Sequence, residues 1–111
     1  MAKVLIVTTE NVPGYEVSKV LGVVYAPVAM ARWFGADIMA GLRDIFGGKV
    51  GQYEKLMSEA LKEAFDRLAK QAEDMGADAI IGVRIFSPEI GGTRNIGEVV
   101  VYGTAVKLST T

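Results

Sequence analysis

The chain has 111 residues, of which 12 are basic and 13 acidic, and it contains no histidine and no cysteine. A balance so close to neutral, without a basic patch or stripe, excludes the electrostatic footprint of a nucleic-acid-binding protein. Histidine is the side chain that titrates near neutral pH, and thiolate and imidazole are the favoured ligands of zinc and copper. We therefore expect no enzyme activity and no cofactor.

The length predicts a single domain spanning residues 1–111. Half of the residues are hydrophobic and only 23% are charged, which is more apolar material than one small core absorbs, because small domains keep much of their surface in water. No apolar run approaches the roughly 18 residues that cross a bilayer, and the first residues lack the features of a signal peptide. The composition thus predicts a cytoplasmic protein, outside the membrane, that buries its apolar surplus against copies of itself.

The first half of the chain is rich in strand-forming residues. Residues 3–8 are β-branched and apolar and predict a strand, after which Pro13 and Gly14 predict a turn. A long strand follows over residues 15–30. Gly22 indicates a bulge or a close approach of another backbone inside this strand, and Pro27, which has no N–H to donate, places its second half at a sheet edge or at the strand end.

Two helices are predicted in the middle of the chain. Apolar residues three and four apart indicate a short amphipathic helix over residues 37–46, ended by two glycines. A longer helix is predicted over residues 52–75, with Gly76 just beyond its end. Ion pairs four residues apart are expected on its wet face, between Glu63 and Arg67 and between Asp66 and Lys70.

The last third of the chain returns to strands. Residues 79–86 alternate, which predicts Ile81, Val83 and Ile85 on one face and Arg84 on the other. A loop follows, and residues 98–108 form a final strand that is apolar on both faces. This order predicts an α+β fold, an antiparallel or mixed sheet with one long and one short helix packed on one face. The opposite face then requires a cover, and a second subunit supplies one.

Several segments in one register resemble the YbjQ-like family of uncharacterised proteins, which some collections label a heavy-metal-binding domain family. The matching segments are residues 8–15 (TTENVPGY), 21–24 (LGVV), 37–48 (DIMAGLRDIFGG), 75–84 (MGADAIIGVR) and 98–106 (EVVVYGTAV). The resemblance implies a subunit similar in shape to that of dodecin. It also implies assembly into a closed homopentamer through additional short strands, and it brings no catalytic residues.

Anion or small-ligand binding is one candidate activity. Arg84 lies in an apolar strand and needs a carboxylate, with Glu10 or Glu98 of its own or a neighbouring subunit as the expected partner, or else an anionic ligand. The segment of Gly91, Gly92 and Arg94 forms either a hairpin loop or an anion-binding nest. Trp33, with its aromatic and thioether neighbours, belongs either to the core, to a subunit contact or to a small-molecule pocket.

Metal binding is the alternative, and here only oxygen ligands are offered. Glu10 and Glu98 are the candidate ligands, together with Asp37 and Glu89, for a hard cation such as magnesium or calcium. Their spacing matches no known loop. Symmetry would bring several copies of one such ligand together at a subunit junction or central axis. The sequence therefore predicts a self-assembling, non-enzymatic domain with a small ligand at its interfaces, or else with an ion there.

Overall fold

The computed structural model describes residues 3–29, 50–87 and 98–110. These residues form one sheet and one helix, and the predicted short helix over residues 37–46 lies outside them. The elements are β1 (Leu5–Ile6), β2 (Tyr15–Ala29), α1 (Val50–Asp74), β3 (Ala79–Phe86) and β4 (Glu98–Thr110). The strand order is β1-β3-β4-β2. Strand β1 runs parallel to β3, whereas β3 and β2 run antiparallel to β4, so the predicted α+β class with a mixed sheet is confirmed.

Helix α1 covers one face of the sheet with a stripe of small and branched residues. Ala60, Ala64, Leu68 and Ala72 recur every four residues and are buried, as the periodicity predicts. They meet a layer of strand side chains in one core, and the largest of these are Val24, Val28, Ile80, Val83, Val99 and Val101. No helix in the described ranges has the length and apolar content that a bilayer crossing requires.

The wet side of α1 carries ion pairs four residues apart, though not both of the predicted ones. Arg67 and Glu63 pair at 2.8 Å, which confirms the first. The second was wrong, because Asp66 approaches Lys62 at 3.8 Å and Lys70 pairs with Asp74 at 3.0 Å. Both Asp66 and Lys70 have an opposite charge four residues away on each side, so the sequence offers two equivalent pairings.

The end of α1 has a complete C-terminal cap. Gly76 adopts a φ of 78°, and its N–H donates to the carbonyl of Glu73 at 3.0 Å. The N–H of Ala77 reaches back to the carbonyl of Ala72 at 2.9 Å. These two bonds define a Schellman motif, as Gly76 predicts. Asp78 then joins the chain to the sheet, since its carboxylate accepts from the N–H of Leu108 at 2.8 Å.

Strand β2 is an edge strand of the described sheet with two different halves. From Val24 onward its side chains alternate between buried and exposed, whereas residues 15–20 are exposed on both faces. A turn precedes the strand, closed by the N–H of Tyr15 donating to the carbonyl of Val12 at 3.0 Å, with Gly14 at a φ of 89°. Proline followed by such a glycine is the type II pattern. The predicted turn and the edge position of Pro27 are thus confirmed.

Two register shifts interrupt the pairing of β2 with β4, one between Val17 and Lys19 and one between Val20 and Gly22. Gly22 has a φ of 140°, and a Cβ there would lie 3.5 Å from the terminal methyl of Met75. The predicted irregularity at Gly22 is therefore confirmed, but its close neighbour is a side chain from the end of α1. On the N-terminal side of Gly22, residues 15–20 of β2 are not covered by the helix.

Strand β3 does not keep the predicted alternation. Its core residues are Ile80 and Val83, whereas Ile81 is half-buried and Ile85 is exposed. The register shifts between Ile81 and Arg84, so that two residues oppose one on β4. Gly82, at a φ of 61°, provides the left-handed residue that starts such a bulge. One extra residue reverses the facing of every side chain after it.

The final strand was predicted to be apolar and covered on both faces. In β4 the side chains of Val99 and Val101 are buried beneath α1, whereas that of Val100 is half-buried on the opposite face. Gly103 faces the core at the β3 bulge, where a Cβ would lie 2.7 Å from the Cγ2 of Ile80 and 2.9 Å from that of Val83. The helix therefore covers one face of β4 at Val99 and Val101, and the other face stays partly open.

Candidate functional site

The sheet face opposite α1, called here the outer face, exposes large apolar side chains. Tyr25 on β2 lies opposite Tyr102 on β4, which in turn lies opposite Arg84 on β3. Phe86 meets Tyr102 edge to face, with ring centroids 6.0 Å apart and planes inclined at 74°. The large apolar residues of this face are Val23, Tyr25, Phe86 and Tyr102, and each is at least 40% exposed. Exposed apolar patches of this kind mark interaction surfaces.

A second exposed region is the arm, defined as residues 15–20 of β2 with residues 107–110 of β4. A depression of about 450 Å³ lies at its end, lined by Asn11, Val12, Tyr15, Glu16, Val17, Ser18 and Ser109. Ser18 occupies the first register shift, and its hydroxyl donates to the carbonyl of Lys107 at 3.2 Å. This depression was not predicted from the sequence. Residues 11–18 and Ser109 are distant in the chain, so no local pattern brings them together.

Arg84 lies on the outer face and does not have the predicted ion-pair partner within its own chain. Its Nη1 donates to the carbonyl of Thr8 at 3.0 Å and to its own neighbour's carbonyl, that of Val83, at 2.9 Å. Among the described carboxylates none forms an ion pair with it, so pairing with Glu10 or Glu98 of the same chain was wrong. Arg84 is exposed, so its charge is not buried and does not require a carboxylate for compensation.

The two candidate metal ligands lie in different elements. Glu10 is exposed in the loop between β1 and β2, and Glu98 begins β4 opposite Ala29. The carbonyl of Glu98 accepts a hydrogen bond from the Ser87 hydroxyl at 2.6 Å. Across residues 3–29, 50–87 and 98–110, no group of three acidic side chains comes together that could hold a metal ion. One subunit's described residues thus provide no complete cation site.

The remaining candidate residues lie outside the described residues. These are Trp33 in the aromatic segment, Asp37 and Glu89 among the carboxylates, and Gly91, Gly92 and Arg94 in the glycine-rich segment. Their roles therefore stay predictions.

The edge of β2 is capped by two side chains from α1, a feature that the sequence analysis did not identify. The Gln71 amide bonds both backbone groups of Tyr25, accepting from its N–H at 3.0 Å and donating to its carbonyl at 2.6 Å. Arg67, held by Glu63, donates to the carbonyl of Pro27 at 3.2 Å. Amide and guanidinium groups thereby take the places that a neighbouring strand would occupy.

The pKa of Lys70, which lies one turn of α1 beyond Arg67, is raised by its ion pair with Asp74. The hydrogen bond to the Asp74 carboxylate, reinforced by its charge, raises the pKa of the Lys70 ammonium from its ordinary value of 10.5. The pair lies in solvent at the end of α1, away from the outer face, so it has a structural role.

Comparison with known proteins places these features in a family. The chain matches the YbjQ_1 family model, described as "Putative heavy-metal-binding", over residues 4–109. A UPF0145 protein of Thermotoga petrophila is 44% identical over 104 residues, covering 94% of this chain and 96% of the relative. A UPF0145 protein of Archaeoglobus fulgidus is 40% identical over 106 residues, covering 96% of each chain.

A solved structure agrees with the fold. The crystal structure of a protein of unknown function from Pediococcus pentosaceus, assigned to the DUF74 family, has a TM-score of 0.50 at 22% identity. The similarity covers 96% of this chain and 98% of that one, and at this identity it bears on the fold alone. The resemblance found in the sequence is confirmed by the family model and by these two UPF0145 relatives, and the chain belongs to the YbjQ_1 family.

Proposed function

We propose that this protein is a non-enzymatic, cytoplasmic, self-assembling domain that forms a homopentamer and holds a small ligand where subunits meet. The subunit would be similar in shape to that of dodecin. No nucleic acid, membrane or cofactor takes part in this proposal.

The outer face is the observation that carries the proposal. Its four large apolar side chains lie on the side that α1 does not cover, and Tyr25 is 59% exposed although it is in the middle of a strand pair. Burying such aromatic residues contributes to association, at roughly 25 cal/mol for each Å² of apolar surface removed from water. A second subunit against this face would supply the cover that the helix supplies to the other.

The absence of catalysis and of nucleic-acid binding is supported by the sequence. A general acid or base in this chain would have to be a strongly perturbed carboxylate, lysine or tyrosine, because histidine and cysteine are missing. With a net charge of −1 the chain has no excess of positive charge with which to attract phosphates.

Native mass spectrometry of gently purified protein tests this proposal, because one spectrum reports the number of subunits and any retained mass. We expect a pentamer that carries additional mass from a ligand. A pentamer without added mass would contradict the ligand and leave the assembly in place. A monomer at micromolar concentration would contradict both.

A pair of variants locates the interface. Tyr25→Lys places a charge on the outer face, and it should dissociate the assembly because an unpaired buried charge is costly. Glu59→Lys, on the exposed side of α1, is the matched control and should leave the subunit number unchanged. Equal dissociation by both variants, or by neither, would contradict burial of the outer face.

A second candidate function is binding of an anion or a metal ion at a subunit junction or on the symmetry axis. Arg84 favours it, because this exposed guanidinium contacts two backbone carbonyls and has no partner among the described carboxylates. At a subunit junction, Arg84 would bind phosphate or another anion, with Arg94 as a further donor. Glu98 or Glu10 would instead bind a hard cation.

Thermal unfolding with added ions separates these possibilities. Phosphate should raise the melting temperature of the wild type but not of Arg84→Gln if Arg84 binds an anion. Calcium, magnesium or manganese should raise it through Glu98 or Glu10, whereas zinc and copper should bind less well without thiolate or imidazole. No shift with any of these ions would count against the second candidate.

A further inference from the structure

The capped edge of β2 fixes which backbone groups of this strand are directed away from β4. In an antiparallel pair, residues alternate between those that bond the neighbouring strand and those that face the other way. Both backbone groups of Tyr25 bond to Gln71, so Tyr25 faces away from β4. Pro27, two residues later, faces the same way, has no N–H, and has its carbonyl bonded by Arg67. This stretch of edge has no free donor.

Val23 is the next residue directed outward, and no described side chain caps it. The register between β2 and β4 is continuous from Gly22 to Ala29, so Val23 has the same orientation as Tyr25. Its side chain is 69% exposed on the outer face. The capped part of the β2 edge therefore ends at Tyr25, and its open part begins at Val23 and continues toward the arm.

An open edge is also present on the other side of the described sheet. Because Tyr25 faces away from β4, its partner Tyr102 directs its backbone groups toward β3, and they bond Arg84. Ile85 therefore directs its N–H and carbonyl away from β4. The preceding outward residue, Val83, is already bonded, since its N–H donates to Val7 at 3.1 Å and its carbonyl accepts from Arg84. No described residue takes that role at Ile85, whose side chain is 48% exposed.

We infer that the open edge at Val23 pairs with the open edge at Ile85 of a second copy of this chain. This inference rests on the proposed self-assembly and specifies where the subunits join. The two edges lie on opposite sides of one sheet, and each has outward backbone groups beside an exposed apolar side chain. Main-chain pairing with such an edge is a common mode of protein recognition.

The pairing is compatible with the proposed closed assembly. Since the two edges are different surfaces, the contact is head to tail, and a joined pair of subunits keeps one edge of each kind free for further copies. Such contacts close when the rotation between neighbours returns to the start. Gln71 and Arg67 then limit the pairing, because they occupy the edge at Tyr25 and Pro27.

Amide hydrogen exchange resolved by residue tests the inference on the wild-type protein. The amides of Val23 and Ile85 should exchange about two orders of magnitude more slowly in the assembled protein than after dilution to monomer. The amide of Tyr25 is the internal control, because Gln71 bonds it within the subunit and its exchange should change little. Native mass spectrometry of the same samples gives the subunit number.

The outcomes separate this inference from the proposed function. An assembly in which both amides exchange rapidly would overturn the pairing and leave self-assembly intact. A chain that is monomeric at every concentration would overturn both. If the Val23 amide is still protected from exchange in the monomer, the chain covers this edge within one subunit. That result would also overturn the pairing.

A substitution provides the second test. Val23→Pro removes an N–H that is directed away from β4. The substitution therefore removes the donor on the open edge and leaves the hydrogen bonds between β2 and β4 in place, as Pro27 does naturally. Val23→Ala is the matched control, because it shortens the side chain and keeps the donor. We expect Val23→Pro to be folded by circular dichroism but at least tenfold weaker in assembly than Val23→Ala. Equal assembly of the two variants would overturn the inference.

Discussion

The two halves of β2 show how one strand can serve a core and a surface at once. From Val24 to Ala29 its side chains alternate between the helix and the outer face, whereas residues 15–20 are exposed on both sides. Each half contains two valines and a tyrosine, but only residues 15–20 also contain the polar side chains of Glu16, Ser18 and Lys19. The exposure of Val17 and Val20 follows from the extent of α1, which ends at Asp74, with Met75 lying against Gly22. Burial of these valines is thus decided by the reach of the helix.

The strongest test of this comparison uses the same substitution in each half. Val28 is fully buried and Val20 is 62% exposed. Val28→Ala should lower the free energy of unfolding by roughly 1.5–3 kcal/mol, because it removes buried apolar surface and leaves a cavity. Val20→Ala should change it by less than about 0.5 kcal/mol. Urea denaturation measures both, at the lowest usable protein concentration.

Two results would break the comparison. Equal losses for Val28→Ala and Val20→Ala in the monomer would contradict the assignment of burial. A loss for Val20→Ala that grows with protein concentration would instead show that the arm is covered in the assembly, and it would sharpen the comparison by adding a subunit contact to the exposed half.

A smaller effect is expected at the covered side of the sheet, where β3 and β4 approach closely. Gly103→Ala places a methyl group 2.7 Å from the Cγ2 of Ile80 and 3.1 Å from the carbonyl oxygen of Ile81. Overpacking of this kind should lower the free energy of unfolding by about 1–3 kcal/mol. A second comparison uses the left-handed residue of the bulge. Gly82→Asn should lower the free energy of unfolding less than Gly82→Ala, because asparagine tolerates the left-handed conformation. An undiminished stability of Gly103→Ala would contradict the close approach.

The smallest expected effect concerns pH and the exposed side of α1. Since the pKa of Lys70 is raised in the folded protein, its pairing with Asp74 stabilises the fold below the ordinary value of 10.5. This contribution is lost as the pH rises through the folded pKa, above 10.5. Lys70→Gln should therefore be less stable than the wild type at pH 9, with a difference that shrinks as the pH rises above 10.5. A difference independent of pH would contradict the pairing.

Much of the fold could be predicted from the sequence because it is encoded locally. The stripe of α1 and the glycine that caps it were correct, as were the Pro13–Gly14 turn and the edge position of Pro27. Each depends on residues only a few positions apart. The alternation in β3 failed where Gly82 adds a residue to one strand, because the two-residue period carries no information about a bulge.

The candidate site was less predictable, because its parts come together only through tertiary contacts. Gln71 and Arg67 lie on the side of α1 that the pattern identifies only as polar, yet they bond residues that are 46 and 40 positions away. Arg84 was expected to need a carboxylate of its own or a neighbouring subunit, or an anionic ligand, and within the described residues it contacts the carbonyls of Thr8 and Val83. A polar pattern cannot distinguish a side chain in water from one that caps a strand edge.

The central position of β4 bears on how the protein is made. This strand lies between β3 and β2, pairs with both, and contains the last described residues of the chain. Tyr15 must find Thr110, almost at the other end of the sequence. Such non-local pairing predicts slow folding. During synthesis, β2 and α1 leave the ribosome well before β4, so the valines of β2 lack their partner strand until β4 has been made.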